Sequence, residues 1–339
     1  MKVLMTGVAA AALAGAGLTF LPHFQMLGGA AAEAANEPAS DRALAEPPDG
    51  GEVAIAASEP VDLSATPLTV SLDGETVPHP VWHHLVMPGE TIALASNLPL
   101  SIEMNGEMLA QDADMADWTA PDTPGTHRLV MTDAAGRTVE VSVFVLAPLG
   151  EEEILEGYRI GTYPADAPEG LIRLTEADMD APVSPNFTIG QFICKQQPGH
   201  WPKFLLVSPT MLTRLEALLA SMQAEGLTEA SSFFVMSGYR TPFYNTAIGS
   251  ARFSRHMYGD AADIYPDVVG GDGVMDDLDG DGRITRADAE YLYDYAESLY
   301  TADPAMPEGG IGAYSANAVH GPFVHIDGRG HAARWGRNG

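Results

Sequence analysis

Ser254-Arg255-His256-Met257-Tyr258-Gly259-Asp260-Ala261-Ala262-Asp263 sets a histidine and an aspartate seven residues apart, with Gly259, Ala261 and Ala262 between them. The pattern is S-x-H-x-x-G-x-A-x-D. His and Asp offer a nitrogen and an oxygen ligand, and the small residues let the backbone fold closely around an ion. A strand over Ala262–Tyr265 would turn Asp263 to one face with Ala261 and Tyr265, and Ile264 to the core.

Working outward, a catalytic zinc needs a third protein ligand and an open position for water. The natural donor is His325, in the apolar run Gly321-Pro322-Phe323-Val324-His325-Ile326-Asp327. On the N-terminal side, Ser208-Pro209 starts a helix whose core residues Leu212, Leu215, Leu218, Leu219 and Met222 recur at helical spacing until Gly226. Phe233–Met236 then reads as a buried strand. It delivers the chain to Ser237-Gly238-Tyr239-Arg240-Thr241-Pro242, where Arg240 is a candidate site residue.

These three segments, in this order, resemble the zinc D-Ala-D-Ala carboxypeptidases and murein endopeptidases, whose fold is shared with the hedgehog signalling domain. The resemblance covers roughly residues 182–335. It implies that His256, Asp263 and His325 bind a catalytic Zn2+ and that Arg240 lies in the cleft, holding a substrate carboxylate or stabilising an oxyanion. It also implies a peptidoglycan substrate, its stem peptides or cross-links. One position departs from the family. Many members carry a Glu three residues before the last His as general base, and here that position is Pro322, with Phe323 at the alternative His position. His320 and Asp327 are the remaining candidates for proton transfer, Asp327 serving equally well as the partner that orients a ligand.

Between Asp263 and His325 lies a twelve-residue run, Asp277 to Asp288, with acids at positions 1, 3, 5 and 12 and glycine at 6. Asp277, Asp279, Asp281, the Arg283 carbonyl and Asp288 fit an EF-hand-type or dockerin-like loop for a structural Ca2+. A helix from Ala287 through Tyr291, Tyr295 and Leu299 follows. The loop reads as an insertion near residues 272–290.

The N-terminal half is different in texture. Lys2, the Ala/Gly/Leu-rich run to Leu21 and the small residues at 30–34 have the order of a secretory signal, so residues 1–32 are expected to be a signal peptide or an N-terminal anchor. Residues 33–60 are Ala, Glu, Pro, Asp and Gly with few large apolar side chains and read as a disordered linker. Over 61–149, short alternating runs such as Val139, Val141, Val143 and Val145 predict a small antiparallel, immunoglobulin-like β-sandwich, with His83 and His84 on its surface. Residues 150–339 complete an α+β molecule as the zinc domain.

Acidic residues outnumber basic ones 46 to 17, and the net charge of -29 disfavours nucleic acid as a partner. The single cysteine, Cys194, excludes an intrachain disulfide and a thiolate metal site; it is expected to be a buried hydrophobe. The expectation is an exported peptidase of the periplasm or cell envelope, tethered to a membrane, if at all, only through its N-terminal segment. Two competing readings are a catalytically inactive, zinc-containing cell-wall-binding protein of the same fold and a calcium-dependent adhesion module. The zinc triplet argues against the second.

Overall fold

The alternation of Val139, Val141, Val143 and Val145 does produce a strand whose four valines are buried in one core. In the computed structural model, which describes residues 66–269 and 271–337, this strand belongs to a seven-stranded sheet. The signal segment and the linker lie outside the described residues. The strands are β1 (Val70–Leu72), β2 (Glu75–Thr76), β3 (Val81–Val86), β4 (Thr91–Met104), β5 (Glu107–Thr119), β6 (Gly125–Asp133) and β7 (Thr138–Val145). They are ordered β2-β1-β4-β6-β7-β3, with β5 also paired to β4.

β4 explains the shape. Along one edge it pairs with β5, with a register shift between Ala95 and Leu100; on the other its first half takes β1 and its second half takes β6. The two halves close around one core that includes Val70, Leu94, Ile102, Leu129 and Val143. This is one hydrogen-bonded sheet, and β3 lies parallel to β7, so the immunoglobulin-like, wholly antiparallel description goes further than the topology.

His83 corrects another expectation. Adjacent strand residues do face opposite ways, but only His84 reaches the rim, where Asp73 meets it at 3.1 Å. His83 is buried, with Nδ1 2.9 Å from the Val183 carbonyl and Nε2 3.1 Å from that of Val207. The reason is tertiary: β3 is packed against the C-terminal half.

Short elements make that junction. β8 (Ala147–Pro148) pairs with β11 (Gly170–Leu174), which pairs with β14 (Lys203–Leu205); β9 (Ile154–Leu155) with β10 (Tyr158–Arg159), and β12 (Pro182–Ser184) with β13 (Phe187–Thr188), form two-stranded ribbons. The larger buried cluster runs through them and includes Trp82 and Phe144 from the first sheet and Leu146 just after it, together with Leu212, Leu215 and Ile264. The described residues therefore belong to one compact unit. Cys194 is buried within this cluster, as its apolar neighbours suggested.

Ser208 caps α1 (Pro209–Ala224), accepting the Met211 N–H, and the leucines at helical spacing are all buried. α2 (Pro242–Ala247) is capped by Thr241, and α3 (Arg286–Ala302) by Thr285 with Asp288 in a capping box. The last sheet is ordered β15-β16-β18-β17-β19, from β15 (Phe234–Ser237), β16 (Ala261–Tyr265), β17 (Gly310–Tyr314), β18 (Phe323–Asp327) and β19 (Ala333–Trp335). α1 and α3 pack against its central strands. The strand expected to be buried at Phe233–Met236 is an edge strand instead, so Phe234 is exposed and stacks on Tyr265 with ring centroids 5.0 Å apart. Among the described residues no helix is long and apolar enough to cross a membrane.

Candidate metal centre

Strand register assembles the site. Asp263 of β16 stands directly opposite His325 of β18, and the same row continues to Ser237 of β15 on one side and to Gly312 of β17 and Trp335 of β19 on the other. Directly opposed residues bring their side chains together on one face. Ile264, Val324 and Ile326, which alternate with the site residues, are buried in the larger core.

His256 arrives from a different kind of element. It sits on a single 3-10 turn, Arg255–Tyr258, which ends at Gly259 with φ of 65°. A Cβ at Gly259 would stand 2.2 Å from the Leu206 carbonyl oxygen, so both conformation and space require glycine there. This is what the G of S-x-H-x-x-G-x-A-x-D does: it reverses the chain against Leu206 and starts β16, three residues after the histidine.

The donor atoms converge. His256 Nε2 is 3.2 Å from His325 Nδ1 and 3.3 Å from Asp263 Oδ1, and His325 Nδ1 is 2.9 Å from Asp263 Oδ1. Ligands at ordinary zinc distances occupy tetrahedron edges of about 3.3 Å, so the spacing fits a small tetrahedral cation. The outer hydrogen bonds agree. His256 Nδ1 lies 2.7 Å from the Gly238 carbonyl and His325 Nε2 lies 3.0 Å from Asp327 Oδ2; both partners only accept, so those nitrogens carry the protons. In the neutral rings the other two nitrogens then aim lone pairs at Asp263, a repulsive arrangement that a cation relieves. All three side chains are buried.

The charges are consistent with this. Burial lowers His256, and the neighbouring Asp263 only partly offsets it. Burial also works to lower His325, but hydrogen bonds to Asp263 and Asp327 outweigh it and hold that imidazole above its ordinary value. For Asp263, burial pushes upward, and the two histidines overcome it and hold the carboxyl well below the usual range. A proton and a metal ion compete for the same position.

Arg240 follows β15 and lines the cleft, where its engagement is with the protein. Nη2 donates to Asp263 Oδ2 at 2.5 Å, Nε to Ser237 Oγ at 2.8 Å and Nη1 to Ser250 Oγ at 3.3 Å. Asp263 thus offers one oxygen to the centre and the other to Arg240.

The two proton-transfer candidates fare differently. Asp327 is fully buried; Oδ2 meets His325 and Arg329, while Oδ1 accepts from the N–H groups of Gly310 and Arg329. Burial would raise its pKa, but these partners drive it far below the ordinary carboxylate range. A carboxylate so satisfied orients His325 and is a poor base. His320 does not line the cleft. Its Nδ1 donates to the Gly321 carbonyl, its Nε2 meets Asn317 at 2.7 Å, and its ring stands edge-on to Phe323.

The cleft over the centre has a volume of about 420 Å³ and is lined on its far side by Tyr314, Phe323, Arg329 and Trp335. Sequence reasoning missed Tyr314, Arg329 and Trp335. The pairing of β17 with β18 and β19 brings Tyr314 and Trp335 to His325, whereas Arg329 follows β18 directly and turns back onto Asp327. Among the described residues that line the cleft, Asp263 is the one carboxylate.

A family model for Peptidase M15 matches residues 186–272. The match takes in about a quarter of the chain, including Arg240, His256 and Asp263, and ends before His325. It supports a hydrolase of the metallopeptidase type for this region. A search of curated proteins finds none that matches the chain.

The acidic loop forms a second group. Carboxylate oxygens of Asp277, Asp279 and Asp281 gather within 4.8 Å of one another at the surface. Asp288, expected as the twelfth-position ligand, stands outside that trio: Oδ1 accepts from Leu278 and Asp279 N–H, and Oδ2 from Thr285 N–H. Arg283 donates its N–H to Asp281. The loop is thereby knitted to the start of α3.

Proposed function

We propose that this chain is an exported, zinc-dependent peptidase that hydrolyses amide bonds in peptidoglycan stem peptides or cross-links. The observation that carries the proposal is the convergence of His256 Nε2, Asp263 Oδ1 and His325 Nδ1 to within 3.3 Å of one another at the floor of an open cleft. The matching of residues 186–272 to Peptidase M15 supports the same reading.

A bound zinc ion would supply Lewis acidity, lowering the pKa of water toward neutrality and polarising the carbonyl. The residues do the rest. Gly238 and Asp327 fix the tautomers of the two histidines, so each presents a lone pair rather than a proton. Arg240 holds the second oxygen of Asp263 and keeps positive charge beside the place where an oxyanion develops. The aromatic wall of Tyr314, Phe323 and Trp335 shields one side of the reacting carbonyl from bulk water.

A second reading keeps the metal and removes turnover, making the chain a cell-wall-binding protein. It is favoured by the lack of any cleft carboxylate besides Asp263 among the described residues. Export, in either reading, rests on the N-terminal signal-like segment, and the acidic loop is proposed to hold a structural Ca2+.

Incubating the purified protein with sacculi, with and without a zinc chelator, separates the readings. Chelator-sensitive release of new amino termini, identified by mass spectrometry, is the expected result, and the fragments will name the bond. His256→Ala and His325→Ala should each lose metal and hydrolysis together; full metal content in both variants would falsify the ligand assignment.

A further inference from the structure

We propose that Tyr314 is a catalytic residue of this cleft, its hydroxyl donating a hydrogen bond to the oxyanion that develops on the scissile carbonyl, and that Trp335 is the positioning residue that aims it. The inference rests on the peptidase reading above and adds to it a group that no motif indicates.

Three observations carry it. First, register: Gly312 stands opposite His325 and Tyr314 opposite Phe323, so Tyr314 lies two residues along the same face as the ligand. Two strand residues span about 6.6 Å, within reach of a phenol that leans along the strand. Second, hydrogen bonding: Trp335 Nε1 and Tyr314 Oη are 2.9 Å apart. An indole nitrogen can only donate, so the phenol oxygen accepts and its own proton is free for another acceptor. Among the described residues no other partner takes it, and Tyr314 lines the cleft. Third, rigidity: the Tyr314 ring stacks on Phe323 at 4.5 Å and 8°, and the Trp335 ring lies 5.1 Å from that of His325.

Gly312 is what admits the indole. A Cβ there would come within 2.2 Å of Trp335 Nε1, so the space beside the ligand strand is kept open for this one side chain. Arg240, meanwhile, has three of its nitrogens committed to Asp263, Ser237 and Ser250. A neutral donor on the opposite wall supplies what that committed guanidinium supplies only in part. The hydrogen bond strengthens as charge builds on the carbonyl oxygen, and no proton leaves Tyr314.

The test compares the full-length parent with Tyr314→Phe, Trp335→Phe and the double variant, using a stem pentapeptide and a phosphinate mimic of its tetrahedral state. Tyr314→Phe should keep its metal content and melting temperature. Its kcat should fall roughly 10²-fold or more with KM little changed, and its phosphinate affinity should fall about 10–100-fold. Trp335→Phe should lower kcat less, and the double variant should be no slower than Tyr314→Phe, because both changes remove one interaction. An active, metal-dependent parent with an equally active Tyr314→Phe overturns the inference and leaves the peptidase reading intact. Loss of metal or of stability in Tyr314→Phe assigns the residue to structure and also overturns it, and strictly additive losses in the double variant overturn the positioning role of Trp335. A parent that neither hydrolyses the peptide nor binds the phosphinate overturns both readings.

Discussion

Single residues at this site do work that their types alone do not announce. Asp327 looks in sequence like a base or a ligand partner; its six hydrogen bonds make it the anchor of His325. Asp327→Asn keeps the shape and removes the charge that fixes the imidazole proton, so metal affinity should fall about 10–100-fold. Competition against a chromogenic chelator reads this directly, and unchanged affinity would show that His325 needs no such anchor. Gly259 is a constraint of another kind. With φ of 65° and the Leu206 carbonyl in the way of any Cβ, Gly259→Ala should cost more than about 2 kcal/mol in urea unfolding. A variant as stable as the parent would mean that this turn moves at no cost.

At the scale of elements, the helices were the most legible parts. Ser208-Pro209 and the leucine spacing announced α1, and the run from Ala287 through Tyr291, Tyr295 and Leu299 announced α3, whose Thr285–Asp288 capping box only the structure shows. The acidic loop was legible as a spacing, but the geometry divides its acids. Three gather at the surface, and Asp288 turns inward to cap α3 and accept amides of Leu278 and Asp279. Three exposed carboxylates so close together repel one another, so a divalent cation should raise the melting temperature. Differential scanning fluorimetry with millimolar calcium against a calcium chelator measures it. Equal melting temperatures and equal activity in the two conditions would mean that the backbone amides hold the loop unaided.

At the scale of the whole molecule, the first sheet is part of the body that carries the cleft. His83 is the hinge of that statement, because one imidazole of β3 reaches the Val183 and Val207 carbonyls of the other half. Burial lowers its pKa from 6.5 to about 4, and the two carbonyls only partly oppose this. The neutral ring is therefore the folded form. Its contribution is complete above pH 6.5 and is lost as the pH falls from 6.5 toward 4, amounting to about 3 kcal/mol. Urea unfolding at pH 7 and pH 4.5 should show His83→Gln losing less stability on acidification than the parent. Equal losses would assign the acid sensitivity to other groups.

The local chemistry was available from the chain alone. A His and an Asp at a fixed spacing around a glycine, a strand with a central His and an arginine after a strand end are short-range patterns, and short-range sterics and periodicity govern them. Hence the three candidate ligands, Arg240 and the Ser208 helix start could be named from residues 208–327 without a structure. What faces those residues could not. The exclusion of His320 from the cleft, the inward turn of Asp327, the burial of His83 and the approach of Tyr314 and Trp335 to His325 all depend on which strands pair and in what register. Pairing joins residues far apart in the chain and is decided by the packing of the whole sheet, which no single segment encodes.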